Sequence, residues 1–294
     1  MKKINRILKA ALVLTVLTGC TNATAKLKDS SSALITVNGK SITKGDVYNI
    51  MMSSNGASQA VKDATKTIVN AEVEITDDMK TQADSMLSYY KTLYGDTFST
   101  YLESSGLSEE DYMNKSILPS LQAEELPKKY VEQNYDELVS KYMPVKGSVI
   151  AFDSEENANS ALSVLKDGTS DAAAAAEAYG SSSDASSKIY STQSSLDSAV
   201  WSALRASTAE EGWKTVAGDD GSFYVIRLDS NDTEALKDDI ITEIASYDTT
   251  SSDANTYFFK KYSFHVYDIN LYNSIGNSSD YSSYLVQTPV DTAN

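Results

Sequence analysis

The feature that most constrains the fold is a change of hydrophobic period at Pro144. Before it, apolar residues recur at helical spacing. Met79, Ala83, Met86, Leu87, Tyr90, Leu93 and Tyr94 form one stripe and predict a helix from Asp77 to about Tyr94. Thr43-Lys44-Gly45-Asp46 has the pattern of a capping box, opening a helix with Val47, Ile50 and Met51 on one face. Ser108-Glu109-Glu110-Asp111 has the same pattern and leads into Tyr112, Met113, Ile117 and Leu121, with a kink expected at Pro119. A further helix is expected from Pro127 to Lys141, because proline suits a first helical position. Residues 43–141 thus read as mainly helical. Ahead of them, Ala33–Val37, the turn Asn38-Gly39 and Ser41-Ile42 read as a hairpin.

Past Pro144 the order becomes mixed. Val145–Phe152 reads as a strand, Ser154 opens a helix through Leu165, and Gly168 ends it. Ala172–Tyr179 is a second helix, Ser181–Ser195 a serine-rich loop, Leu196–Leu204 a short helix and Ser222–Leu228 a strand. That order describes a compact α+β unit of roughly 85 residues. Helices at Glu234–Tyr247 and Ala254–Lys261 follow, then a strand at Tyr262–Leu271. Residues 273–294, rich in Ser, Asn and Tyr, read as a disordered tail.

The N-terminus bears on compartment. Lys2, Lys3, Arg6 and Lys9 precede the short apolar run Ala10–Leu17. That run falls well below the ~20 residues that span a bilayer and fits a secretory signal. Leu17-Thr18-Gly19-Cys20 resembles a bacterial lipobox, so cleavage before Cys20 and a diacylglycerol thioether on its sulfur are expected. Two acyl chains, each stabilising by ~0.8 kcal/mol per buried CH₂, suffice for lasting anchorage. Lys26–Ser32 then reads as a polar tether, and Thr21 supplies no aspartate-type sorting cue. Cys20 is the sole cysteine, which excludes an intramolecular disulfide and a thiol catalyst in the mature body.

The net charge is −16, and removal of residues 1–19 takes away four basic residues and no acidic one, leaving about −20. Nucleic-acid binding by phosphate neutralisation is excluded on this balance. With His265 the one histidine, a His-rich or thiolate metal site is disfavoured and no metal is expected. No GxGxxG, P-loop or HExxH pattern is present, and no cofactor is expected.

Several stretches in this order resemble the PrsA foldase lipoproteins, relatives of the SurA periplasmic chaperones. Ile35 to Asp46 (ITVNGKSITKGD) is similar to that family's opening strand, turn and cap. Gly106-Leu107-Ser108-Glu109-Glu110-Asp111-Tyr112 is similar to the entry of its helical arm, and Phe264–Leu271 to its closing strand, which pairs with the first. Residues 144–230 resemble a parvulin-type prolyl isomerase domain. The implied fold class is α+β: a mainly helical chaperone domain built from N- and C-terminal segments, with an inserted parvulin-like domain. The corresponding boundaries are a signal at 1–19, a lipidated tether at 20–33, a chaperone domain at 34–142 plus 233–272, the parvulin-like domain at 143–232 and the tail at 273–294. His265 falls in the closing strand as a structural residue.

The resemblance also implies an isomerase site that this chain departs from. The family carries a histidine after the Lys-Ala-Ser of its first domain strand; here Lys146-Gly147-Ser148 precedes Val149. An aromatic-His pair in the last strand is replaced by Phe223-Tyr224. The Gly-Gly-Asp-Leu-Gly loop aligns with Ser186 to Tyr190 and puts Lys188 at the acidic position. No catalytic residue carries over; Ser148 and Tyr224 are weak candidates as hydrogen-bond donors. Leu196, Trp201 and Phe223 are the candidates for the proline pocket.

The expected activity is that of an extracytoplasmic, membrane-anchored foldase of secreted proteins whose peptidyl-prolyl cis-trans isomerase (rotamase) domain is weak or inactive. Two alternatives stay open: a working isomerase using the substituted residues, and a non-enzymatic surface-binding lipoprotein. Expected partners are unfolded or newly secreted proteins and the membrane, through Cys20; a homodimer is left open. The resemblance favours a single-membrane, Gram-positive host. Tyr89, Tyr90, Tyr94, Met86 and Met113 are candidates for client contact, since Met adapts its shape and Tyr combines apolar area with a hydroxyl.

Overall fold

The computed structural model describes Ala23 and residues 25–287, so Cys20 and the lipobox lie outside the described residues. Two strands open the fold, β1 (Ala33–Val37) and β2 (Lys40–Thr43), paired antiparallel. Asn38 and Gly39 both take positive φ (48° and 75°), as a two-residue hairpin turn requires. Helix α1 (Lys44–Met51) starts on the expected capping box. The Asp46 N–H donates to Thr43 Oγ1 at 3.1 Å, and the Thr43 N–H donates to Asp46 Oδ2 at 2.8 Å. Gly45 leaves this contact uncrowded, because a Cβ would sit 3.0 Å from the carbonyl oxygen of Ser30, to which the Gly45 N–H donates. A π-helical turn at Met52–Gly56, with Asn55 out of helical geometry, leads into α2 (Ala57–Glu72).

Helix α3 (Asp77–Tyr94) has the bounds the periodicity predicts and is capped by Thr76. Gly95 turns the chain into α4 (Asp96–Ser105), and Ser108 caps α5 (Glu109–Tyr112) through the second capping box. The break expected at Pro119 takes the form of a π-helical turn, Met113–Ile117, after which Pro119 occupies the first turn of α6 (Leu118–Glu124). Ala83, Leu87, Phe98, Leu102, Ile117, Leu118 and Leu121 close one core between these helices. Two helices replace the single one expected over 127–141: α7 (Leu126–Gln133) and α8 (Tyr135–Tyr142). They break at Asn134, whose φ is −123° and whose side-chain amide donates to the Tyr130 carbonyl.

The mixed segment forms a four-stranded antiparallel sheet in the order β4-β3-β6-β5. Its central strand β3 (Val145–Phe152) is followed by α9 (Glu155–Lys166), α10 (Ala172–Ala178), β4 (Lys188–Tyr190), α11 (Ser198–Ala206), β5 (Lys214–Ala217) and β6 (Phe223–Ser230). β4 lies inside what reads as a serine-rich loop and β5 in a stretch with no strand signal; both are short and owe their conformation to pairing with β3 and β6. Alternation along β3 divides the domain core. Ile150, Phe152 and Val225 face α9 and α10, whereas Val149, Ile226 and Leu228 face α11.

Helices α12 (Lys237–Ala245) and α13 (Asp248–Lys261) follow. The expected strand at 262–271 does not form. Asp268 instead caps α14 (Ile269–Gly276), accepting from the Asn270 and Leu271 N–H groups, and only an isolated parallel bridge joins Ala25 to Asp268. β1 therefore pairs with β2 and not with a closing strand. The tail expected from residue 273 continues in α14 and a short 3₁₀ turn at Ser282–Tyr284, with Tyr284 buried and stacked on Phe259 at 4.3 Å. The polar tether likewise ends early. Ala25 bonds Tyr267 and Ile269, and Ser30 and Ser32 accept from Gly45 and Lys44.

Two compact units result among the described residues, one of those up to residue 65 with those from 259 to 287, and one of residues 66–258. The first joins the earliest and the last of the described residues. The α+β architecture expected from the sequence is present, and the expected boundaries at 142/143 and 232/233 fall inside the second unit. Among the described residues no helix is long and apolar enough to cross a membrane.

Candidate functional site

On the α11 face of the sheet, an open cleft of about 560 Å³ runs between β3, β4, β6 and α12. Val149, Ala151, Ile189 and Leu196 supply its apolar lining; Tyr190 and Tyr224 add phenols; Asp184, Lys188 and Glu243 add charge. Ser183, Ser194 and Ser195 complete the wall. The cleft forms because β4 pairs with only the first residues of β3, leaving the strand's far edge open. There the Ala151 N–H finds Ser183 Oγ at 3.0 Å instead of a neighbouring strand.

The best-defined group is Tyr224. In β6 it stands opposite Ala151, which places both on the cleft face. Its hydroxyl donates to Asp220 Oδ2 at 2.7 Å. Asp220 Oδ1 accepts from the Ser222 N–H at 2.9 Å, and that bond, followed by the one from Tyr224, holds its carboxyl below the usual range. Desolvation first, and then the bond to Asp220, push Tyr224 up to about 12. Tyr224 is therefore a neutral donor already committed to a carboxylate. Asp197 sets the frame for this pair. Its Oδ1 caps α11 by accepting from Ala199 and Val200, while Oδ2 accepts the Asp219 and Asp220 N–H groups at 2.8 and 3.2 Å. Gly218 lets the turn close, since a Cβ there would lie 2.6 Å from the Tyr224 ring.

The rest of the cleft is likewise tied down. Lys188 donates to Asp184 Oδ2 at 3.1 Å, and Asp184 is held at about 2, first by its bonds with Ser186 and then by Lys188. Burial, then the Asp184 charge, raise Tyr190 to about 12. Among the described residues, no imidazole or thiol lines the cleft. His265 belongs to the other unit, where its ring lies 4.8 Å from that of Tyr267.

The residues singled out from the sequence are divided by the sheet. Val149, Lys188, Leu196 and Tyr224 meet at the cleft. Ser148 does not: it stands three residues before Ala151, hence on the opposite face, and is 1% exposed. Phe223 also turns away, packing against the Ile150 cluster on the α9 side. Trp201 packs against the Val149 cluster from α11, with the Arg205 guanidinium 5.8 Å from its ring centroid, and is not part of the cleft lining. Thus Ser148 and Tyr224 cannot act on one substrate, and Phe223 is no wall of this cleft. Sequence reasoning missed Asp184, Tyr190, Asp197, Asp220 and Glu243. Of these, only Asp197 carried a local signal, as an N-cap preceding the α11 apolar run.

Comparison with known proteins adds family information. Residues 124–238 match the PPIC-type PPIase domain. A foldase protein PrsA of Streptococcus mutans is 31% identical over 174 residues, which cover 56% of this chain and 50% of that protein. The chain thus spans about half the length of that relative. A PrsA of Streptococcus gordonii is 24% identical over 265 residues, 81% of this chain and 82% of that one. Among solved structures, PrsA of Streptococcus pneumoniae is 19% identical with a TM-score of 0.40, covering 85% of this chain and 100% of that one. PrsA of Bacillus cereus is 19% identical with a TM-score of 0.43, covering 84% and 98%. The resemblance read from the sequence motifs is borne out by the domain match and the two streptococcal PrsA sequences.

Proposed function

We propose that this PrsA-like chain is a membrane-anchored, extracytoplasmic foldase that holds unfolded secreted proteins, and that its PPIC-type domain is a weak or inactive isomerase. The observation that carries the second half is the chemistry of the cleft. The two positions aligned with the family's histidines, Val149 and Tyr224, both line it, yet neither offers an imidazole. Rotation about an X-Pro bond faces a barrier of about 18–20 kcal/mol. Catalysis must shield the amide and tune its polarity, and the Tyr224 proton is already shared with Asp220. What remains is a partly apolar cleft able to hold an extended segment without turning it over quickly.

The foldase half is supported by the PrsA relatives of Streptococcus mutans and Streptococcus gordonii and by the lipobox at Leu17–Cys20. Lipid on Cys20 would keep the protein at the outer face of a Gram-positive membrane, where newly exported chains emerge. Burial of a client's exposed apolar surface stabilises the complex by about 25 cal/mol per Å².

Two measurements on the chain from residue 21 onward test this reading. At stoichiometric amounts it should suppress light scattering by a denatured client; failure to do so removes the foldase assignment. In a proline-tetrapeptide assay it should give little acceleration. A second reading, a working isomerase, rests on the neutral, oriented hydroxyl of Tyr224 at the cleft wall. Rapid turnover abolished by Tyr224→Phe would favour it.

A further inference from the structure

The helical arm from Asp77 to Lys115 carries an aromatic cluster that its own core does not consume. Tyr90 and Tyr112 sit half-buried at its centre. The Tyr90 ring lies 6.0 Å from Tyr89, 6.3 Å from Tyr94 and 6.3 Å from Tyr112; the Tyr112 ring lies 5.2 Å from Phe98 and 6.2 Å from Tyr101. The inner side of this ladder closes the core around Ala83, Leu87 and Leu102. Its outer side is open: Tyr89 is 60% exposed, Leu93 and Tyr94 53% each, and Tyr101 51%. A contiguous exposed patch of this kind marks an interaction surface more often than isolated apolar residues do.

The charge around it selects the partner. Between Asp77 and Lys115 there are eight carboxylates and three lysines. Each of those lysines is already in an ion pair: Lys80 with Asp77, Lys91 with Glu109, Lys115 with Asp111. Asp78, Asp84, Asp96, Glu103 and Glu110 are left without a lysine from the arm. Asp84 shares α3 with Tyr89, and Asp96 and Glu103 share α4 with Tyr101. A helix of α4's ten residues is about 15 Å long, so these charges act on the rings' surroundings within roughly one to two Debye lengths. A second copy presenting the same anionic face would be repelled.

We propose that this tyrosine face docks unfolded client segments that combine lysine or arginine with apolar residues. The exposed rings accept the cationic heads by cation–π contact and cover their aliphatic stems, while the unpaired carboxylates attract and orient them. The proposal rests on the foldase reading and names the class of client it prefers.

The test uses the chain from residue 21 onward and two labelled, unstructured peptides of equal length and apolar content, one rich in Lys and Arg, the other in Asp and Glu. Fluorescence anisotropy should show the cationic peptide binding at least about tenfold more tightly, with the preference shrinking from about 0.05 to about 0.5 M salt. Tyr89→Ala/Tyr94→Ala/Tyr101→Ala should lose most of the binding while retaining the wild-type melting temperature. Asp84→Asn/Asp96→Asn/Glu103→Gln should keep apolar binding but lose the preference, which preserves the test should the tyrosine variant misfold. Equal binding of the two peptides, or unchanged binding by the tyrosine variant, overturns the proposal. So does a dimer of the wild type that the tyrosine variant dissociates. Client aggregation suppressed without regard to client charge would leave the foldase reading standing and this inference refuted.

Discussion

The Tyr224 hydroxyl and the Asp220 carboxylate share one proton-donating bond, 2.7 Å long, between a strand residue and the turn that precedes it. Desolvation, and then this contact, keeps the phenol neutral, while the Ser222 N–H, and then this contact, keeps the carboxylate ionised. The pair therefore behaves as a fixed hydrogen-bonded unit at the cleft wall and not as a proton relay near neutrality.

Titration of tyrosinate absorbance should reveal this directly. Tyr224 ionises at about 12 in the folded chain, against about 10 in an unfolded one. A raised folded-state value means that the stabilisation is complete below about 10 and is lost as pH rises toward about 12. Tyr48, Tyr190 and Tyr247 are raised to about 12 as well, so the melting temperature should fall steeply over this alkaline window. Asp220→Asn should move one transition back toward the ordinary tyrosine range; an unchanged titration curve would argue against the pair.

Adjacent residues on opposite faces of β6 should separate stability from binding. Phe223→Ala removes a ring packed on the Ile150 cluster and should cost about 1–3 kcal/mol in denaturant unfolding. Tyr224→Phe deletes only a hydroxyl at the cleft and should cost about 1 kcal/mol or less while altering peptide contact there. Equal stability losses from the two changes would contradict the division of the sheet.

The α+β domain should be unstable when cut at residues 143 and 232. Ile189 of β4 is buried in a cluster with Leu138, Leu236 and Ile240, and Ser191 Oγ lies 2.7 Å from Tyr247 Oη. Lys146 also pairs with Asp239 at 2.6 Å. A fragment of residues 124–247 should melt at a clearly higher temperature than one of 143–232, which exposes Ile189 and lacks the Glu243 side of the cleft.

Gly147 should not tolerate a side chain. An added Cβ would lie 2.5 Å from the Arg227 carbonyl oxygen, a backbone atom fixed by the β3–β6 ladder. Gly147→Ala should therefore destabilise by about 1–3 kcal/mol, read as a lower urea midpoint with an unchanged slope.

Local chemistry explains which parts of the fold were legible in the sequence. Helix α3, both capping boxes, the Asn38-Gly39 turn and strand β3 announce themselves through short-range patterns, and the structure places each where the pattern does. β4 and β5 do not, because three or four residues carry no period of their own and become strands only against β3 and β6. The segment 262–271 alternates like a strand, but Asp268 as an N-cap proved the stronger signal. The cleft was half legible. Val149, Leu196 and Tyr224 follow from alignment with a family pattern, whereas Asp220 and Glu243 join through a turn and a helix that sequence spacing cannot bring to the sheet. Ser148 and Phe223 were misplaced for one reason: facing in a strand flips with every residue.

Were Cys20 lipidated, the stitch at Ala25 would limit how far the first unit can stand from the membrane. The Ala25 N–H donates to Tyr267 O at 2.8 Å and its carbonyl accepts from the Ile269 N–H at 3.1 Å. With acyl chains on Cys20, as proposed, Ala25 lies no more than five residue steps, about 18 Å, from the lipidated residue. A protein that keeps a net charge of about −20 once the four basic residues of 1–19 are gone, held this close, feels the negative potential of anionic headgroups within a Debye length or two. Repulsion would then turn its acidic surfaces outward, toward chains arriving from the export side.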